Sequence, residues 1–84
     1  MRIGVQFTGT VKANKTKRWF THSWPENWHV VWNVVPTSPR TSGAQIEWDV
    51  EVKRQSSDKI TYYISIKNKT GSDVNIEARY AILN

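Results

Sequence analysis

The chain has 84 residues, no cysteine and a formal charge of +5, with twelve Lys and Arg against seven Asp and Glu. That length sets one domain over residues 1–84 that buries only a little over half of its unfolded surface, and without disulfides such a domain is usually stabilised by a metal, by oligomerisation or by many large apolar side chains. The missing thiols exclude disulfides, thiolate catalysis and zinc-thiolate centres, no segment has the length of a membrane span, and MRIGVQFTGT holds no apolar run of signal-peptide length.

Period-two alternation runs through the chain and predicts strands rather than helices. The first strand places Ile3, Val5, Phe7 and Val11 on one face and Arg2, Gln6, Thr8 and Thr10 on the other, with Gly9 marking a bulge or a close backbone approach. VKANKTK is a polar turn, RWFTHSW a short aromatic strand, PEN a second turn and WHVVWNVV a third strand. In that third strand Trp28, Val30, Trp32 and Val34 form a core wall. His29, Val31, Asn33 and Val35 form the opposite face, too apolar for bulk solvent and too polar for a core, which marks an interface.

PTSPRTSG, residues 36–43, is the longest connection, and its two prolines, two serines, two threonines and glycine rule out regular pairing through it. Beyond it Ile46, Trp48, Val50 and Val52 alternate with Glu47, Asp49, Glu51 and Lys53. Ile60, Tyr62, Ile64 and Ile66 share a face in the next segment, and Val74, Ile76, Ala78, Tyr80 and Ile82 do so in the last. QSSD (55–58) and NKTGSD (68–73) read as hairpin turns, which makes residues 44–83 a three-stranded meander. If residues 36–43 cross between layers, the chain divides into two facing three-stranded sheets. The predicted fold is therefore all-β, a small antiparallel β-sandwich of about six strands, with a partly open β-barrel as the alternative.

Catalysis finds little support. His22 and His29 flank a turn that contains Glu26, yet no HExxH or further ligand accompanies them, so structural roles are expected and no metal or cofactor. Glu47, Asp49 and Glu51 recur at the spacing of a solvent face, where cross-strand Lys or Arg partners are the ordinary explanation. The four glycines stand alone and build no phosphate loop. The triplet NKT occurs at 14–16 and 68–70 as a glycosylation sequon, a pattern short enough to arise by chance in polar turns.

Five tryptophans and three tyrosines carry the informative signal. Trp48, Trp28, Trp32, Tyr62 and Tyr80 follow apolar faces and are assigned to the interior, whereas alternation leaves Trp19, Phe20, Trp24 and Tyr63 unfixed. Phe20, His22 and Trp24 share one face of the second strand, and Trp24 before Pro25 is the expected exposed platform. The leading expectation is a non-enzymatic, lectin-like module that binds a glycan through Arg18, Trp19, His22, Trp24, Glu26 and Asn27. One alternative is a self-assembling homo-oligomer joined through His29, Val31, Asn33 and Val35. Another is an anion binder for single-stranded nucleic acid or an anionic membrane, using Lys12, Lys15, Lys17 and Arg18 from an N-terminal stretch without acidic residues. The compartment stays open, with a glycan-binding role leaning toward the cell exterior.

Overall fold

A computed structural model describes residues 1–84 as six strands: β1 (Arg2–Val11), β2 (Thr16–Pro25), β3 (Val30–Pro36), β4 (Ile46–Arg54), β5 (Lys59–Asn68) and β6 (Val74–Ile82). The strands alternate as the sequence does except at two bulges, and every pairing is antiparallel. Sheet I has the order β1-β6-β3 and sheet II the order β2-β5-β4. Their inner faces share one apolar core, which makes a small β-sandwich.

The allocation of strands to sheets departs from the expected meander. QSSD does form a hairpin between β4 and β5, and residues 36–43 do cross between sheets. NKTGSD, however, is an arch that carries the chain from β5 in sheet II to β6 in sheet I, and the turns after β1 and β2 cross as well. Asn68 explains the arch. Its fully buried amide donates to Val11 O (2.9 Å) and Ser72 O (2.8 Å) and accepts from Thr70 N and Thr70 Oγ1, both at 2.8 Å. A side chain thus satisfies backbone groups that a hairpin would pair across its ladder. The two NKT triplets dock on each other here, with Asn14 N donating to Thr70 O (3.0 Å) and Asn68 N to Lys15 O (2.9 Å). Buried in this way, Asn68 presents no amide for glycosylation.

Two bulges decide which side chains enter the core. In β1 the register slips between Val5 and Phe7, leaving Gln6 as an extra residue. Phe7 and Val11 then point inward while Ile3 and Val5 point outward, so the single apolar face expected for β1 is split. In β2 the slip lies between Thr21 and Trp24. Ser23, at φ 67°, occupies a conformation that L-residues seldom adopt, and its amide donates to Gln55 Oε1 at 2.7 Å. An added residue reverses facing, because side chains alternate with period two.

The core changes character along its length. Ile64, Ile66, Val74, Ile76, Val11 and Val34 fill the end near the arch. Trp24, Trp28, Trp32, Tyr62 and Tyr80 fill the other, with Trp24 meeting each of the other four edge-to-face at centroid distances of 5.4 to 6.2 Å. Between them Phe7 stacks on Trp19 at 4.9 Å, directly over Gly9, where a Cβ would lie 2.7 Å from Trp19 Cζ2. Gly9 therefore permits a close approach between the layers and is not itself the bulge.

Candidate functional site

The expected glycan site does not assemble around Trp24. With 9% of its surface exposed, Trp24 is core, and its Nε1 donates to Thr21 Oγ1 at 3.0 Å. Gln6 at the β1 bulge donates to the same hydroxyl at 3.1 Å, so Thr21 ties the two bulges together. Trp19 also faces inward, half-buried against Phe7 and with Lys17 Nζ 4.9 Å from its ring centroid. Glu26 and Asn27 lie in the turn after β2, where Glu26 Oε2 pairs with Arg54 (3.4 Å) and Asn27 O accepts from Asn84 Nδ2 (3.0 Å). Of the six residues, only Arg18 and His22 share the outer face of sheet II.

That face brings together a different set. Cross-strand register places Phe20, Tyr63 and Glu51 in one row and Arg18, Ser65 and Asp49 in the next. Phe20 is 66% exposed, with the His22 ring 6.2 Å and the Tyr63 ring 6.3 Å away. Arg18 lies over Tyr63, Cζ to ring centroid 4.4 Å, and its Nη2 donates to Glu51 Oε1 at 3.0 Å. Both contacts fix the guanidinium as a flat, donor-rich flank to the aromatic platform. Beside them an open depression of about 330 Å³ runs over Ser65, edged by Asp49, Glu47, Lys67 and Thr16. Ser65 makes it, since a small side chain sits between longer ones on both neighbouring strands.

Charges on this face nearly cancel. Glu51 pairs with Arg18 and Glu47 with Lys67 (3.7 Å), the cross-strand partners expected for a solvent face, while Asp49 stands opposite Ser65 and makes no ion pair. Alternation could have found Tyr63, which falls between Tyr62 and Ile64 and so is out of phase with the apolar face. Phe20 was hidden by the β2 bulge, because the face it shares with Trp24 in sequence is not shared in space.

The remaining candidates are dispersed. His22 is on the outer face of sheet II, where its Nδ1 lies 2.9 Å from Ser23 Oγ, and His29 precedes β3 of sheet I, so the two imidazoles do not oppose each other. His29, Val31 and Asn33 are exposed and Val35 is half-buried, on the outer side of sheet I. Among the basic residues, Lys12 pairs with Asp73 (3.1 Å), Lys17 lies over Trp19 and Arg18 pairs with Glu51. The hydrogen bond from Lys12, helped by the Ala13 amide, holds the Asp73 carboxyl below its ordinary 3.8, and burial pushes the Tyr62 phenol above 10.0.

Fold and site together define a small antiparallel β-sandwich with an exposed aromatic and polar face. Comparison with protein-family models, curated proteins and solved structures finds no match for the chain.

Proposed function

We propose that the chain is a non-enzymatic, lectin-like binding module that takes a glycan on the outer face of sheet II. The observation that carries this reading is Phe20, a large aromatic ring held two-thirds exposed on β2, just before its bulge, beside Tyr63 and His22. A rigid strand positions such a ring at little entropic cost. Its face stacks on the apolar C–H face of a sugar, while Arg18, Asp49 and Ser65 in the adjacent row meet the hydroxyls as donors and acceptors. Shallow relief and near-neutral charge suit an uncharged saccharide.

Anion binding has less support. Three of its four basic side chains already have partners, and a phosphate backbone crossing sheet II would meet Glu47, Asp49 and Glu51. A glycan microarray with the wild-type chain and Phe20→Ala tests the proposal. The expected outcome is selective retention on at least one neutral glycan class, weakened by at least about tenfold in the variant, which is about 1.4 kcal/mol. No binding across the panel, or binding indifferent to Phe20, overturns it.

A further inference from the structure

The solvent face of sheet I has a composition that solvent does not explain. Of the seven large apolar side chains the protein exposes, Ile3, Val5 and Val31 fall on this face by register, and Met1 and Leu83 adjoin β1 and β6 in sequence. Ile3, Ala81 and Val31 form one cross-strand row, and Val5, Arg79 and Asn33 the next. Together they line an open groove of about 580 Å³. The Gln6 bulge creates this surface by turning Ile3 and Val5 out of the core, and Ile3 is left 76% exposed.

We propose that this face is the self-association surface of the protein, covered by the same face of a second copy related by a two-fold axis. Charge is the first argument. The one ionised side chain lining the groove is Arg79, whose Nε donates to Glu77 Oε2 at 2.6 Å on the central strand. A two-fold axis that crosses β6 between Arg79 and Glu77 sets each Arg79 against Glu77 of the second copy, and in that arrangement the surface is its own electrostatic complement. In a chain of net charge +5, a neutral apolar face is where two copies approach without repulsion.

Area is the second argument. β1, β6 and β3, of 10, 9 and 7 residues at about 3.3 Å per residue and ~4.8 Å spacing, present on the order of 400 Å² in projection. The pair then buries on the order of 1,000 Å² of accessible surface in total, the lower bound for a specific interface, which points to a weak, concentration-dependent dimer. Small size is the third. Only 12 of 84 residues are buried in the isolated chain, and a chain with so limited a core gains stability from burying further apolar surface. The proposal uses sheet I alone, so its failure leaves the glycan reading on sheet II standing, and the converse holds.

Sedimentation of the full chain from about 1 µM to about 1 mM tests it. A monomer–dimer equilibrium is expected, with the dissociation constant raised at least about tenfold by Val31→Glu, which sets a charge in the apolar row, at unchanged circular dichroism. Ile3→Ser, on an edge strand with an exposed side chain, is the second variant should Val31→Glu fail to fold, and it should weaken the dimer in the same direction. A monomer across the whole range overturns the proposal, as does a dimer indifferent to Ile3→Ser. A wild-type monomer that co-sediments with phosphatidylcholine vesicles through Ile3 assigns the face to a membrane instead and equally overturns it.

Discussion

Trp24 and Trp32 are neighbours in one aromatic cluster, yet their indole N–H groups are treated differently. Trp24 Nε1 donates to Thr21, whereas Trp32 Nε1 is buried without a hydrogen-bond partner. Replacing either by Phe removes similar apolar area, but only Trp24→Phe also breaks a hydrogen bond to a hydroxyl that holds both bulges. Urea titrations should therefore show Trp24→Phe to be the more destabilising by about 1 kcal/mol. A reversed order would mean that Thr21 does not depend on the indole. At the arch, Asp73 gives a pH signature. Its carboxyl is held below the unfolded value, so the stability it contributes is fully present above pH 3.8 and is lost as pH falls through the lower folded-state value. A carbon-detected NMR titration of Asp73 should give a midpoint below 3.8 that moves up in Lys12→Ala. An unmoved midpoint would remove Lys12 as the cause.

The elements are simple alternating strands except at two positions, and those positions set the chemistry of both outer faces. Gln55, from the β4–β5 turn, accepts from Ser23 N and from Thr61 Oγ1, each at 2.7 Å, and so clamps the β2 bulge that turns Trp24 inward. Gln55→Ala strands a buried threonine hydroxyl and releases a residue at positive φ. The expected loss is about 1–3 kcal/mol with a red shift of tryptophan emission as Trp24 gains solvent. An unchanged spectrum at full stability would show that β2 keeps its bulge without the clamp. The bulge at Gln6 works in the opposite sense, exporting Ile3 and Val5 from the core to create the apolar surface of sheet I. Bulges at such places are built features of a sheet, because removing one refaces everything beyond it.

At the scale of the molecule, the two outer faces point in opposite directions across a body of 43 × 23 × 17 Å. A dimer joined through sheet I therefore carries two sheet II faces directed away from each other. Taken together, the two proposals make the protein bivalent. Such a dimer should bridge glycan-coated particles and agglutinate them, whereas Val31→Glu should not, while affinity for a soluble monovalent sugar is the same for both. Light scattering of glycan-coated vesicles set beside calorimetry reads the two quantities separately. Equal agglutination by the wild type and Val31→Glu would show that bridging does not depend on the sheet I dimer.

The sequence by itself determined the strand class, the number of strands, the β4–β5 hairpin and the inward set of the uninterrupted strands, except that Val52 of β4 lies 62% exposed. The reason is local: a pleated backbone alternates its side chains, so apolar positions at period two declare which face is buried. It also exposed the mixed character of the His29, Val31, Asn33 and Val35 face. Tertiary structure alone decided sheet membership, because the same Asn, Gly, Ser and Asp residues serve a hairpin or an arch. In the NKTGSD turn the choice rests on Asn68 reaching Val11 O, 57 residues away in the chain. It alone decided the fate of Trp24, since an inserted residue at Ser23 and its bond to Gln55 reverse a parity that no count of apolar residues reveals. The candidate glycan face moved for that reason, from Trp24 to Phe20 and Tyr63, with Arg18 and His22 common to both.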